Sequence, residues 1–485
     1  MHTIPHRGWQ STSGARVRRA RPAPLLIALL LAGICGAPRA NPTLPQVVNG
    51  QASFSQQGNV FSIANTPNTI INWQSFSINP GELTRFIQQS GSSSVLNRIL
   101  GQDPSRILGS LQSNGRVFLI NPNGILFGND ARVDVNALVA SSLNMSNADF
   151  LAGKMNFASS GPAGKVGNLG SIGTPAGGQV YLIAPDVENS GVISAPNGSV
   201  VLAAGRSVEL VDPSKPELHV VVSAPADAAL NLGQIIAQGG AIGMYGALLN
   251  QRGRLSADSA VLGENGKIVL RASGDTLLDA GSRTSATGAG RGGQIQILGQ
   301  RVGLAGDASV DASGQAGGGT VLVGGDYHGE NAAVQNAGRT FFGSAASIRA
   351  DAVQSGEGGK VVVWADGATK AYGTISARGG ARGGEGGFVE TSGKRTLDFH
   401  AKVDVGAAKG KNGTLLLDPD VITLVGGTGE GSSASDGTGT FQGAATPGSV
   451  MFGDADITTA GISNIYQSEL EGIAPGTNLV LEAAN

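Results

Sequence analysis

Residues Arg116–Gly128 have the sequence RVFLINPNGILFG, in which two short apolar runs flank the tetrapeptide Asn-Pro-Asn-Gly. Both runs are rich in β-branched and aromatic residues, and each predicts a buried strand. Pro122 fixes φ and has no N–H, while Asn123 and Gly124 tolerate positive φ, so the tetrapeptide predicts a tight turn. Taken alone, the segment indicates a β-turn between two buried strands.

Beyond residue 161 the chain repeats short strands that follow glycine. Equivalent positions recur every 20 to 27 residues: Val180 and Val200; then Ile268, Ile295 and Val321; then Val361 and Phe388. Two or three short strands per repeat of this length form one coil of a parallel β-helix, whose stacked coils align aliphatic side chains in columns. A β-propeller would need four-stranded blades of about 40 residues. We therefore predict an all-β protein, a right-handed parallel β-helix (β-solenoid) with an N-terminal cap.

The composition excludes several classes of protein. Gly accounts for 77 of 485 residues, charged residues for 14% and aromatic residues for 5%, so a core of large side chains is excluded. The net charge of −2 gives no attraction to nucleic acid or anionic lipid. The only cysteine is Cys35, in the N-terminal leader, so we expect neither a disulfide nor a Cys-ligated metal in the mature chain.

Residues 1–40 predict a secretory signal peptide. Five arginines precede the apolar run Leu25–Ile34, whose ten residues are too few to span a bilayer. We expect cleavage after Ala40, with Ala37 as the alternative. The predicted location is therefore outside the cell or at its surface, reached through the periplasm.

Several motifs, in order, resemble the N-terminal haemagglutination-activity domain of two-partner secretion exoproteins, the filamentous haemagglutinin family. They are the segments Ile71–Ile78, Gly81–Phe86, Val95–Ile99, Asp103–Gly109, Asn121–Ile125 and Val133–Ser141. The resemblance covers roughly Val47 to Phe157. A second Asn-Pro-Asn-Leu motif is missing, and Asn79–Gly81 is the nearest segment to it. Whatever role that second motif has is therefore not carried over to this chain.

The resemblance implies specific site residues. Its secretion motif falls on Asn121, Pro122, Asn123, Gly124 and Ile125, and its other motif positions fall on Trp73, Phe76, Asn97, Arg98, Asp103 and Pro104. We expect Asn123 and Gly124 to act by shaping the turn, and so through folding rather than direct contact. The Asp103-Pro104 pair is also compatible with the start of a short helix, but the resemblance favours β-structure there.

The resemblance also implies a function. The chain would be an exoprotein of a Gram-negative bacterium, exported through an outer-membrane β-barrel transporter whose periplasmic modules recognise the N-terminal domain, by strand addition to exposed sheet edges. It would act at the cell surface as an adhesin for an unidentified host-cell or matrix receptor. We expect no nucleic-acid partner and no stable membrane insertion.

Five regions are expected along the chain. They are a signal peptide (1–40), a haemagglutination-activity or two-partner secretion domain (41–160), β-helix repeats (161–425), a Gly/Ser-rich linker or excursion (426–448), and a further β-helix coil that looks truncated (449–485). Within the second region, turns are predicted at Asn49-Gly50, Gln57–Asn59, Asn79–Gly81 and Asn114-Gly115.

The sequence contains no pattern typical of an enzyme or a cofactor site. The histidines of the mature chain lack metal-ligand spacing and are expected in exposed loops: His219, His328 and His400. Two pairs of carboxylates, Asp307 with Asp311 and Asp398 with Asp404, keep open a β-helix enzyme acting on polysaccharide, although solvated turn residues are the favoured explanation. A delivery stalk of a longer secreted toxin is the other alternative. We expect no catalytic residue, no metal and no cofactor.

Overall fold

The computed structural model describes residues 41–159, 161–210, 220–223, 227–263, 265–427 and 463–483. The predicted signal peptide, most of the predicted linker, the start of the last region and His219 lie outside these residues. Among the described residues, no helix is long and apolar enough to cross a membrane.

Short strands dominate the described residues. In chain order they are β1 Gln46–Asn49, β2 Ala52–Gln57, β3 Val60–Asn65, β4 Thr69–Trp73, β5 Leu83–Ile87, β6 Ser94–Ile99, β7 Ser105–Ile107, β8 Ser110–Ile120, β9 Ile125–Phe127, β10 Arg132–Ser141, β11 Met155–Ala158, β12 Val166–Asn168, β13 Ser171–Gly173, β14 Gln179–Ala184, β15 Asp186–Asn189, β16 Val192–Ser194, β17 Ser199–Ala204, β18 Ser207–Leu210, β19 Val220–Ser223, β20 Ala228–Asn231 and β21 Gln234–Ile236.

The remaining strands continue this pattern towards the C-terminus. They are β22 Ala241–Gln251, β23 Arg254–Ser256, β24 Lys267–Leu278, β25 Arg283–Ser285, β26 Gln294–Leu298, β27 Arg301–Leu304, β28 Ser309–Asp311, β29 Thr320–Val323, β30 Arg339–Phe342, β31 Ser347–Arg349, β32 Lys360–Ala365, β33 Ala368–Ala371, β34 Thr374–Ser376, β35 Phe388–Gly393, β36 Thr396–Phe399, β37 Lys402–Asp404, β38 Thr414–Leu417, β39 Ile422–Val425, β40 Ser463–Tyr466 and β41 Asn478–Leu481. The helices are α1 Asn147–Leu151, α2 Gln467–Glu471 and a 3₁₀ turn at Tyr327–Gly329.

Most of these strands stack in parallel on three faces, and each of them pairs with its equivalent in the next coil. One face carries the buried column Val117, Leu138, Val180, Val200, Ile242, Ile268, Ile295, Val321, Val361, Val389 and Leu415. A second face carries Val133, Ile172, Ile193, Ile235, Leu255, Thr284, Val310, Ile348, Ile375 and Val403. Because one coil cannot bury its inward face alone, the columns form only by stacking. The predicted parallel β-helix is confirmed.

The third face carries a ladder of buried amides. Asn168 Nδ2 donates to Asn189 Oδ1 at 2.8 Å, Asn189 Nδ2 to Asn231 Oδ1 at 2.8 Å, and Asn231 Nδ2 to Gln251 Oε1 at 2.7 Å. The same column is apolar on both sides of this ladder, with Phe127 before it and Leu278 after it. A buried polar group is costly unless it is hydrogen-bonded. Each amide therefore favours the one register of the next coil in which it has a partner.

The predicted register is right for most coils and wrong for one. Val200 pairs with Val180, and Ile268, Ile295 and Val321 pair in series, as their spacing predicts. Phe388, however, pairs with Lys360, and Val389 pairs with Val361, so this coil has 28 residues rather than 27. Val389 is buried and Phe388 is not, and the predicted pairing would have exchanged the faces of the two side chains.

The N-terminal end of the β-helix is covered by antiparallel strands. Strand β1 pairs antiparallel with β4, and β2 forms a hairpin with β3. Three predicted turns are confirmed by glycines with positive φ: Gly50 (76°), Gly58 (57°) and Gly81 (78°). Asp103 and Pro104 precede strand β7 without a helix, as the resemblance implied.

The turn predicted at Asn114-Gly115 is wrong, because both residues lie inside strand β8. Ser113 pairs with Val135 and Arg116 with Ala137, so two residues of β8 stand opposite the single residue Asn136. This is a β-bulge, which bends a strand without ending it.

The region 41–160 also contains an excursion from the β-helix, formed by α1 and by β11, which joins a small antiparallel sheet with two later strands. Ser146 caps α1 by accepting from Asp149 N at 3.0 Å, and β11, β18 and β19 form the sheet. The excursion covers the outside of one face, where Phe150 packs on Phe118 with ring centroids 5.2 Å apart.

Candidate functional site

The tetrapeptide of the predicted secretion motif forms a β-turn. Gly124 N donates to Asn121 O at 2.9 Å, which closes the turn between β8 and β9. Gly124 has φ +107°, a backbone conformation that side chains disfavour. The predicted tight turn between two strands is confirmed.

Asn121 organises this turn from inside the molecule. Its side chain is fully buried. Asn121 Nδ2 donates to Asp103 O at 3.0 Å and to Ser105 Oγ at 3.0 Å, while Asn121 Oδ1 accepts from Asn123 N at 3.0 Å. The Asn123 amide continues the network by donating to Gly101 O at 2.8 Å. Both asparagines therefore bind the turn to the coil beneath it.

The opposite side of the turn binds the following coil. Gly164 N donates to Pro122 O at 2.7 Å, and Ile125 N donates to Lys165 O at 2.9 Å. A Cβ on Gly124 would lie only 2.8 Å from Lys165 O. The turn is therefore held between two coils, and Gly124 is needed for its conformation and for the close approach of the next coil.

Three of the other motif residues belong to the interior of the first coils. Trp73 packs edge-on against Phe54 and Phe76, with ring centroids 5.7 and 5.6 Å away. Trp73 Nε1 donates to Asn97 Oδ1 at 3.0 Å, and Asn97 Nδ2 donates to Phe118 O at 3.2 Å. The indole N–H and the buried amide therefore satisfy each other between adjacent coils.

Arg98 connects the same coils to the excursion. Arg98 Nη2 donates to Met145 O at 2.7 Å and Arg98 Nε to Asn144 Oδ1 at 3.2 Å, just before α1 begins. Burial lowers the pKa of Arg98 below its usual value. Asp103 contributes its main-chain carbonyl to the network of Asn121. The motif residues thus form two groups, one in the aromatic core of the first coils and one at the turn.

The prediction that the histidines lie in exposed loops is wrong for His328 and His400, which are partly buried among carboxylates. His400 Nε2 lies 3.0 Å from Asp398 Oδ1, and His400 Nδ1 lies 2.6 Å from Glu469 Oε1. Burial would lower the pKa of His400, but the hydrogen bonds and charges of these two carboxylates raise it above the usual value. Asp398 lies close to His400 in sequence, but Glu469 reaches His400 from a distant segment, so the spacing of residues could not indicate that contact.

Each of the four aspartates that the sequence offers as candidate catalytic groups lies beside a basic side chain. The pairs are Asp307 with Arg283, Asp311 with Arg349, Asp398 with His400, and Asp404 with Arg378. This arrangement is typical of structural ion pairs on a coil surface, most of which contribute little to stability.

This chain is similar to known secreted proteins. A family model for the TPS secretion domain matches residues 39–315, more than half of the chain. A heme/hemopexin-binding protein of Haemophilus influenzae is 34% identical over 175 residues, which are 33% of this chain and 19% of that protein. The crystal structure of the HMW1 secretion domain from Haemophilus influenzae matches with a TM-score of 0.71 and 36% identity, covering 78% of this chain and 100% of that one.

The chain's match spans about a fifth of the length of that curated relative. The resemblance drawn from the ordered motifs is confirmed by the family model and by the similar structure, and with it the export of the chain. A TPS domain implies an outer-membrane transporter as its partner. This chain belongs to the TPS secretion-domain family, the secreted exoproteins of two-partner systems.

Proposed function

We propose that residues 41–160 are recognised by the periplasmic modules of the outer-membrane transporter, and that the coils after residue 160 form an adhesive surface outside the cell. The observation that carries the first part is the position of the motif side chains. Asn121 and Asn97 are fully buried between coils, so they shape the domain rather than offer a contact. Recognition would then use main-chain groups at exposed strand edges.

The antiparallel cap supplies such edges. Among the described residues, β1 pairs only with β4 and β2 only with β3, which leaves one edge of each strand open. Strand β2 is also largely exposed. Strand addition at an open edge gives affinity through main-chain hydrogen bonds and tolerates varied side chains. We propose β1 and β2 as the strands that the transporter contacts.

Folding outside the cell would then favour completion of export. Each new coil buries apolar side chains against the preceding one, and a coil that has folded outside resists being drawn back. A chain without disulfides suits this route, because no cross-link has to be opened before crossing.

The adhesin role is supported by the repeated outward faces that the coils present. Binding of heme or hemopexin is not carried over from the relative, because the aligned residues span only 19% of that protein. The alternatives remain an enzyme acting on polysaccharide and a stalk that delivers a longer toxin.

Export tests the first part of this proposal. The wild type, the double variant Asn121→Ala/Asn123→Ala and the exposed control Asn129→Ala are each expressed with and without the transporter. The culture medium is then blotted for the released chain. We expect transporter-dependent release of the wild type and of the control, and loss of release for the double variant. Equal release without any transporter would contradict the proposed route. Binding of the released protein to host cells or matrix then tests adhesion.

A further inference from the structure

Three segments that are distant in sequence meet at the side chain of His328. This residue lies in the 3₁₀ turn, Asp418 directly follows β38, and Glu482 directly follows β41. One atom from each of these three side chains can be chosen so that all three lie within 4.8 Å of one another. The imidazole and the two carboxylates therefore converge on one point at the last described coil.

Direct hydrogen bonds do not explain this convergence. His328 Nδ1 lies 3.4 Å from Asp418 Oδ2, and His328 Nε2 lies 3.7 Å from Glu482 Oε2. Good hydrogen bonds between such groups are shorter, about 2.7 to 3.0 Å. Two ligands of one tetrahedral zinc ion, bound at about 2.0–2.2 Å, lie roughly 3.3–3.5 Å apart. A single ion binds only one of the two ring nitrogens, so only one of these two distances can separate two ligands of the same ion, and the third ligand atom lies within 4.8 Å of the other two. Each of the two distances is nonetheless closer to the zinc spacing than to that of a hydrogen bond.

One atom of the cluster also lacks a partner. His328 Nε2 is buried from solvent and makes no hydrogen bond. A buried ring nitrogen without a partner is costly unless something binds it. A metal ion coordinated by that nitrogen would remove the deficit.

A third carboxylate lies beside the cluster. Glu390 is fully buried beside the cluster, and its two carboxylate oxygens accept the backbone N–H of His328 at 3.2 Å each. Glu390 therefore holds the backbone of His328 in place while Asp418 and Glu482 face its ring.

The second histidine with two carboxylates provides a contrast. The ring nitrogens of His400 lie 3.0 and 2.6 Å from the oxygens of Asp398 and Glu469, which are hydrogen-bond distances. Its ring also stacks on Tyr372 with centroids 5.5 Å apart. His400 is therefore satisfied by protein groups alone, which makes it a matched control.

We propose that His328, Asp418 and Glu482 bind a divalent transition-metal ion of the zinc class. An imidazole nitrogen with two carboxylate oxygens is a donor set that Zn²⁺ accepts, whereas Ca²⁺ and Mg²⁺ prefer oxygen alone. The ion would connect the turn at His328 to the ends of β38 and β41. Residues 463–483 would thereby be fastened to the coils before them.

Calorimetric titration of the untagged chain 41–485 with ZnCl₂, after treatment with chelator, tests the proposal. We expect saturable binding of one ion by the wild type, at least tenfold weaker binding by Asp418→Asn and His328→Gln, and unchanged binding by His400→Gln. Titration with CaCl₂ is expected to give much weaker binding. Absorption bands of bound Co²⁺ would report nitrogen ligation by His328 directly.

Other outcomes would overturn the site. No saturable binding of Zn²⁺ by the wild type, or equal binding by wild type and Asp418→Asn, would refute it. Loss of binding in His400→Gln alone would assign the ion elsewhere and would also refute it. If His328→Gln fails to fold, Asp418→Asn and Glu482→Gln decide the question, because amide replacements keep the shape of the carboxylates.

Discussion

Replacement of Asn121 by alanine should loosen the secretion-motif turn without unfolding the rest of the molecule. The substitution removes the amide that donates to Asp103 O and Ser105 Oγ and accepts from Asn123 N. Water cannot easily replace these bonds, because Asn121 and Ser105 are fully buried.

The expected magnitude follows from the groups left without partners. The Ser105 hydroxyl has no other hydrogen bond among those described, and the Asn123 N–H also loses its acceptor. A buried group that loses its partner costs about 1–3 kcal/mol. We discount the Asp103 carbonyl, since Asp103 is exposed. Two groups therefore give about 3 kcal/mol, or roughly a 100-fold increase in the equilibrium constant for local opening.

Amide hydrogen exchange measured by mass spectrometry on the folded chain 41–485 is the appropriate assay. Peptides containing Gly124 and Ile125 should exchange about 100-fold faster in Asn121→Ala than in the wild type. Peptides from β32, many coils away, should be unchanged, because coils of a solenoid contact only their neighbours. Asn129→Ala, at an exposed position, should change neither set by more than about 0.5 kcal/mol.

Unchanged protection at Gly124 and Ile125 would refute this reasoning. It would mean that the Asn121 amide contributes no net stability to the turn. Uniform acceleration in all peptides would contradict the local character of the effect, since it would show that the described coils unfold as one unit.

Three further predictions address other sites. Gly124→Ala should destabilise the turn by at least about 1 kcal/mol, measured by the same exchange, because of its positive φ and the nearby Lys165 carbonyl. Trp73→Phe should cost about 1–3 kcal/mol in urea unfolding, because Asn97 loses the indole donor; no loss would contradict the role of that bond. His400 has a raised pKa, so its contribution to stability should be complete below about pH 6.5 and lost as the pH rises through the raised value. His400→Gln should abolish that part of the pH dependence of urea unfolding, and an unaltered pH profile would exclude it.

The stacking of coils can be predicted from the sequence, because equivalent residues of successive coils pair with each other in a parallel ladder. Val180 and Val200 occupy the same place after the same corner, so their spacing alone gives the register. The turn at Asn121–Gly124 is equally local, since Pro122 and Gly124 have few other conformations.

Features that depend on partner strands could not be predicted in this way. Asn114-Gly115 has the composition of a turn, but pairing on both sides keeps the strand continuous through a bulge. The extra residue before Phe388 lies in a Gly-rich corner that has no periodic signal. His328 and Glu482 are far apart in sequence and meet only in the folded coils.

The buried amide ladder sets a rule for how this chain can change length. Asn189 and Asn231 are 42 residues apart, while the neighbouring steps in the ladder are 21 and 20, yet the same side-chain bond closes each of them. The longer step contains β18 and β19, which leave the helix and return to it. An insertion at a corner is therefore compatible with the ladder, because the chain can return with the next amide in its place. An insertion inside a strand is not compatible, because it would shift the amide out of register. During evolution, such a molecule can acquire new surface loops, or whole duplicated coils, without redesign of its interior.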